Sequence, residues 1–185
     1  GCQPANSIYL PFMRNAVGAM DYTPGAMQST QPEFYGTGYP NAMSIGTRAY
    51  QLALFVVFES GIQMFSDSPT EYLKRPDCTE FIASVPVTWD ETRVIDCQAG
   101  EYLLIAKRKG DKWFVGGMTN DTPRELNVKL DFLSAGKTYK QTAFADGPNA
   151  HRQAMDYRQT VTQATNQTTL QVKMVRNGGF ASVFE

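Results

Sequence analysis

Three carboxylates stand where this sequence could do chemistry. Asp21 follows the short small-and-apolar run Arg14–Met20 and opens the turn Asp21-Tyr22-Thr23-Pro24-Gly25. Asp67 follows Gly61-Ile62-Gln63-Met64-Phe65 and precedes Ser68-Pro69. If those two runs are buried strands, Asp21 and Asp67 lie just beyond strand ends. Ligands collect there in α/β proteins, and a carboxylate there can bind a ligand or exchange a proton with it. Each also has a plainer reading: Asp21 as the cap of its own turn, Asp67 as the cap of a turn or helix at Ser68-Pro69. Glu59 closes the apolar run Thr47–Glu59. It reads either as a buried, paired carboxylate or as the wet end of a helix, the commoner arrangement.

Other reactive groups give less. His151 is the single histidine and sits in a polar stretch with Asp146 and Arg152, with no nucleophile motif to serve, so it reads as a solvated loop residue. Cys2, Cys78 and Cys97 are odd in number, far apart and outside any CxxC, so a Cys/His zinc site is not indicated. Buried free thiols fit them, with at most one pair bridged. Phe34, Tyr35 and Tyr39 could stack on a sugar ring or pack their own loop. Asn120-Asp121-Thr122 and Asn166-Gln167-Thr168 match the glycosylation sequon, a triplet frequent by chance. No phosphate-binding loop, GxGxxG or nucleophile elbow occurs.

Charge excludes one class of partner. Seventeen Lys and Arg against eighteen Asp and Glu leave a net charge of -1, with no basic excess to neutralise phosphates, so nucleic acid is not expected. With 42% hydrophobic and 12% aromatic residues in 185, the chain must fold. Its longest apolar stretch, Leu52–Phe58, is far shorter than the ~20 residues that span a bilayer. No leader is visible before Gly1-Cys2-Gln3-Pro4, as would hold for a processed secreted protein too.

Two patterns divide the chain near Trp89. Before it, Arg14–Met20 predicts a buried strand, residues 28–46 a long surface loop, and Thr47–Glu59 a helix that is apolar nearly all round and so must be covered. Gly61–Phe65 predicts a second strand. Asp77-Cys78-Thr79-Glu80 has the form of a capping box opening a helix that Pro86 limits. Strand, helix, strand, helix is α/β order, and two such units are too few to complete a sheet. After it, Glu101–Lys107 and Lys112–Met118 flank a turn at Gly110-Asp111, and Leu126, Val128, Leu130 and Phe132 alternate with polar residues. Further strands are predicted at 138–144, 157–162, 169–175 and 180–184, which together argue for a small antiparallel sandwich.

Many ordered blocks resemble the C-terminal portion of glycoside hydrolase family 97, the bacterial α-glucosidases and α-galactosidases. They include Pro11–Gly25, Thr47–Ala53, Phe58-Glu59-Ser60, Asp67-Ser68-Pro69, Trp89-Asp90-Glu91-Thr92, Gly100-Glu101-Tyr102, Pro123-Arg124-Glu125-Leu126, Asp146-Gly147 and Gly178-Gly179-Phe180-Ala181. The resemblance implies an α/β plus all-β chain. Residues 1–89 would be the last two units of a (β/α)8 barrel, and 90–185 a small C-terminal antiparallel β-sandwich.

It further implies calcium-dependent hydrolysis of terminal α-glycosidic bonds in oligosaccharides by paired carboxylates. Those acids and the calcium ligands precede this stretch, so no catalytic residue and no cofactor are expected within it. Asp21, Tyr22 and Asp67 would form part of the substrate wall. A periplasmic or secreted location is implied as well. The alternative is a non-catalytic module that binds carbohydrate or steadies a neighbouring domain. Two barrel units without neighbours would leave Leu52–Phe58 in water at roughly 25 cal/mol per Å2, so self-association, partial disorder or rearrangement is expected.

Overall fold

The computed structural model describes residues 3–36 and 43–185. Five α-helices are present among them: α1 (Pro4–Ser7), α2 (Leu10–Met13), α3 (Arg48–Val57), α4 (Pro69–Leu73) and α5 (Pro76–Ser84). Short strands β1 (Ser29–Thr30) and β2 (Ser44–Ile45) pair in parallel within the long loop. After α5 come eight strands: β3 (Glu91–Gln98), β4 (Tyr102–Lys109), β5 (Lys112–Thr119), β6 (Arg124–Lys129), β7 (Tyr139–Asp146), β8 (Tyr157–Ala164), β9 (Thr169–Met174) and β10 (Gly179–Phe184).

Six of these form one antiparallel sheet in the order β3-β4-β5-β10-β7-β8. The β4–β5 hairpin turns at Gly110, whose φ of 57° favours glycine. Strands β6 and β9 pair only with each other and cover one face of the sheet. Between these unequal layers lie Trp113, Val115, Leu130, Phe132, Tyr139, Val172, Met174, Phe180 and Phe184. The antiparallel character predicted for the second half is what forms, in layers of six strands and two.

The opposite face of the sheet carries α3. Thr47 caps this helix by accepting the Tyr50 amide at 3.1 Å, and all ten of its residues are buried. Its partners are β5 and β10, with Phe114, Phe144, Ala181 and Val183 beneath it. Burial from both sides explains why β5 and β10 read as unbroken apolar strands rather than alternating ones. Leu52–Phe58 is therefore not left in water; every residue of it is at most 2% exposed, because the sheet of the second half supplies the cover. The exposure expected of that run is absent, and with it the reason it gave for disorder or association.

The predicted strand at Arg14–Met20 does not form. The segment turns instead, with the Arg14 guanidinium donating to the Gly18 and Ala19 carbonyls and the Asn15 amide also reaching Gly18. Residues 16–19 are exposed, so the apolar character read there has no core to enter. Extended backbone begins at Met20. Segments 20–24 and 59–66 run in parallel, joined by the Tyr22–Gln63 bridge and by Met20 N–H to Glu59 O (2.9 Å), Met64 N–H to Tyr22 O (3.4 Å) and Ser66 N–H to Pro24 O (3.2 Å). The predicted strand at Gly61–Phe65 is thus one rail of this narrow ribbon, with α3 as the crossover.

Asp77 is not a helix cap either. Arg75 takes that position because Pro76, with its fixed φ, occupies the first turn. Asp77 lies in that turn and accepts the Tyr157 hydroxyl at 2.7 Å. Helix α5 ends at Ser84, as Pro86 demanded. Strand β3 escaped the sequence pattern because it is an edge strand with a mostly exposed run of polar residues. Tyr39 and Cys2 lie outside the described residues. No helix among the described residues is long and apolar enough to cross a membrane.

Candidate functional site

The parallel ribbon carries the three predicted site residues, and it separates them. Asp21 is exposed and its carboxylate takes no hydrogen bond among the described residues. Tyr22 is half-buried, edge-on to Phe58 with ring centroids 4.6 Å apart. Asp67 accepts the backbone amides of Met27 (2.8 Å) and Gln28 (3.0 Å) on one oxygen and that of Ser68 (3.1 Å) on the other. Its carboxylate fastens the 25–28 turn to the start of α4. Tyr72 reinforces the clasp by donating to Gly25 O at 3.0 Å, and Gln28 donates to Glu71 at 2.7 Å. The Tyr22–Gln63 register places Asp21 beside Ile62, five residues from Asp67, or ~16 Å along the ribbon. The two carboxylates do not converge.

The ribbon's outer edge is apolar. Ile62, Met64 and Phe65 are 45–67% exposed, and Met13 and Val17 are exposed as well. Isolated exposed apolar residues are ordinary, but a run along an unpaired strand edge marks an interaction surface.

Glu59 begins the second rail, and its environment settles the choice left by the sequence. Its side chain accepts Lys107 Nζ at 2.5 Å, and its backbone is clasped by the Asn15 amide, which accepts from Glu59 N–H (3.2 Å) and donates to Glu59 O (3.0 Å). Lys107 is only 1% exposed, donates also to Val57 O at 3.2 Å and lies 5.4 Å from the Trp89 ring centre. Burial pulls its pKa below the ordinary lysine value, and Glu59 opposes that shift. The signal that could have revealed the pair is a lysine in phase with Leu103 and Ile105, the buried positions of β4 that face α3.

A second, part-buried carboxylate ties the halves together. Asp146, at the end of β7, accepts the Thr47 hydroxyl at 2.5 Å and the amides of Val175 (2.9 Å) and Gly179 (3.2 Å). The hydroxyl that caps α3 is therefore oriented by a strand of the sheet. Burial pushes the Asp146 carboxyl up to about 7 despite these donors. Beside it opens a cavity of about 460 Å3 lined in part by Arg124, Arg158, Lys173 and Pro148. His151 lies on the exposed turn beyond β7 and shares no cluster with these groups. Among the described residues no group of three or more His, Cys, Asp or Glu side chains could hold a metal ion. The calcium implied by the resemblance has no fitting donor set here.

The sequence profile described as "Glycosyl-hydrolase 97 C-terminal, oligomerisation" matches residues 88–185, more than half of the chain. The chain belongs to glycoside hydrolase family 97. Over 174 residues it is 44% identical to a retaining α-galactosidase of Bacteroides thetaiotaomicron, and 35% identical to a probable retaining α-galactosidase of Streptomyces bingchenggensis. Each alignment covers 94% of this chain but only about a quarter of the relative, 26% and 25%. A family 97 enzyme from Pseudoalteromonas sp. strain K8, solved in complex with acarbose, superposes with a TM-score of 0.87 at 33% identity. That match covers 99% of this chain and 28% of the enzyme. The 185 residues thus correspond to the C-terminal portion of family 97 proteins, and the ordered blocks rather than any single site residue carried that assignment.

Proposed function

We propose that this chain is the C-terminal part of a retaining, calcium-dependent α-glycosidase, acting on terminal α-galactosides in preference to α-glucosides, that is periplasmic or secreted. Identity of 44% across 94% of the chain to a retaining α-galactosidase carries the reading. Residues 1–89 supply the last two units of the catalytic barrel, and residues 90–185 form the domain behind them. The parallel ribbon and its α3 crossover support this, since βαβ is the repeating unit of such a barrel. Its apolar edge at Ile62, Met64 and Phe65 is where the remaining barrel strands dock. The catalytic carboxylates and calcium ligands belong to those strands. Calcium, when bound there, would polarise oxygens of the sugar or its attacking group.

The chain's own residues shape and brace the site. Asp67, just past the C-terminal end of its rail, acts on the pocket through the 25–28 turn that it holds, whereas Asp21 and Tyr22, at the start of theirs, stand towards the other end of the ribbon. The Glu59–Lys107 pair locks the second rail to the sheet, so the β domain fixes the ribbon's position. The same domain serves in oligomerisation, as the matched family description states for its members.

Assays with nitrophenyl α-galactoside test this directly. A longer polypeptide ending in these residues is expected to hydrolyse it with retention at the anomeric carbon and to lose activity to a chelator. The 185-residue chain alone is expected to show no turnover, and measurable hydrolysis by it would overturn the proposal. Oligosaccharide binding detected through Trp89 and Trp113 fluorescence in the isolated chain would favour a carbohydrate-binding module instead.

A further inference from the structure

The six-stranded sheet has two outer edges, and they are built differently. At β3 the edge is guarded: Glu91, Arg93 and Asp96 line it, and the ladder is broken between Val94 and Asp96. Charges and bulges of this kind prevent edge-to-edge pairing. At β8 there is no such guard. Tyr157–Ala164 pairs with β7 over eight residues in unbroken register and carries one charge, Arg158, with neither proline nor lysine. Residues 158–163 are all exposed, Val161 at 60%.

Hydrogen-bond phase shows which β8 groups are open. Lys140 exchanges both backbone bonds with Glu185 (2.8 and 3.0 Å), so alternate residues of β7 beginning at Lys140 turn towards β10. Gln141, Ala143 and Ala145 turn the other way and engage their partners Thr162, Thr160 and Arg158. Gly147 N–H to Asp156 O, at 3.0 Å, keeps the same phase. Gln159, Val161 and Gln163 are left presenting backbone N–H and C=O groups to solvent. These form a ready template for another strand.

We propose that β8 is the self-association edge of this chain, pairing antiparallel with β8 of a second copy about a two-fold axis at Val161. This rests on the reading that the C-terminal domain serves in oligomerisation, and it names the surface. In that register Val161 lies opposite the partner's Val161 and Gln159 opposite the partner's Gln163, so every open backbone group on these residues gains a partner. Arg158 meets the partner's Ala164, and no charge opposes a like charge. The product is one continuous sheet through both copies.

The test is sedimentation and amide hydrogen exchange of the 185-residue chain over a concentration series, with the variants Val161→Pro and Val161→Lys. The proline removes an outward N–H without touching the β7 ladder, and the lysine keeps the backbone and adds an edge charge. The expected result is a dimer whose Gln159, Val161 and Gln163 amides gain protection with concentration, while those of Thr160 and Thr162 are protected throughout. Each variant weakens dimerisation by about tenfold or more. If association persists undiminished in Val161→Lys, or the odd-numbered amides exchange freely in the dimer, the β8 edge is wrong while oligomerisation stands. A chain monomeric at every concentration overturns both.

Discussion

Gly179 lies directly under the backbone of Tyr50. A Cβ built at 179 would stand 2.6 Å from the Tyr50 nitrogen, closer than any side chain can rest against main chain. Gly116, across β5, is nearly as confined: its Cβ would come within 2.9 Å of Val56 Cβ and 3.1 Å of the Ala53 carbonyl oxygen. The two glycines are where α3 settles onto the sheet, and they join the α/β half to the β half. Gly179→Ala is expected to destabilise the chain by about 2 kcal/mol or more, and Gly116→Ala by about 1–3 kcal/mol. Gly61→Ala, where nothing stands within 4 Å, is the control and should leave urea unfolding unchanged.

The Lys107–Glu59 pair should respond asymmetrically to loss of either member. Glu59→Gln leaves a buried ammonium without its counter-charge. With the glutamate side chain 39% exposed, the expected loss is about 1–3 kcal/mol rather than the larger cost of a fully buried pair. Lys107→Met fills the same volume with apolar atoms and leaves a half-solvated carboxylate, so its cost should be below about 1 kcal/mol. Denaturant titration of both variants decides this; a Lys107→Met protein less stable than Glu59→Gln would contradict it.

Asp146 gives the fold an unusual pH response. Burial pushes its carboxyl up to about 7 in the folded chain, against an ordinary value of 3.8. Between these the native state binds more protons than the unfolded state, so stability from this group is complete below about pH 4 and is lost as pH rises towards 7. Glu71, Asp90, Glu91 and Glu185, held low by nearby lysines, arginines or other donors, act in the opposite sense and gain stability as pH rises through the carboxylate range. Asp146→Asn can keep the amide contacts through its oxygen. It should flatten the decline between about pH 4 and 7 in thermal melts.

Substitutions on the ribbon edge should separate the isolated chain from the longer enzyme. Ile62→Ser and Met64→Ser alter residues that are 67% and 45% exposed here, and are expected to shift the melting of the 185-residue chain little. In a full-length family 97 enzyme the same changes would bury hydroxyls against barrel strands and cost about 1–3 kcal/mol each, with loss of activity. Equal, small effects in both proteins would argue against the docking role.

Most of the β half was legible from its residues. The β4–β5 hairpin, β6 and β7–β10 follow from alternation and turn glycines, because those signals depend only on neighbours along the chain. Strand β3 was not, since an edge strand needs no apolar face. In the first half, α3 was legible from length and apolarity, but not what covers it: a helix buried on every side carries no mark of which surface does so. Arg14–Met20 misled because small apolar residues suit an exposed turn as readily as a strand. Glu59 could be resolved only with Lys107, 48 residues away. Asp21, Tyr22 and Asp67 were found as the conspicuous polar residues of the ribbon, yet only the register shows that the two acids stand apart.

The position of β10 governs how such a chain can be made. It follows the other nine strands of the described residues in sequence, yet it sits between β5 and β7 and lies under α3. Until it emerges from the ribosome, β3-β4-β5 and β7-β8 are two unconnected patches, and the helix has only part of its bed. Completion of the sheet therefore waits on β10, and its long-range contacts form late. A nascent chain in that interval carries its greasiest helix uncovered, which makes it a natural client for chaperones.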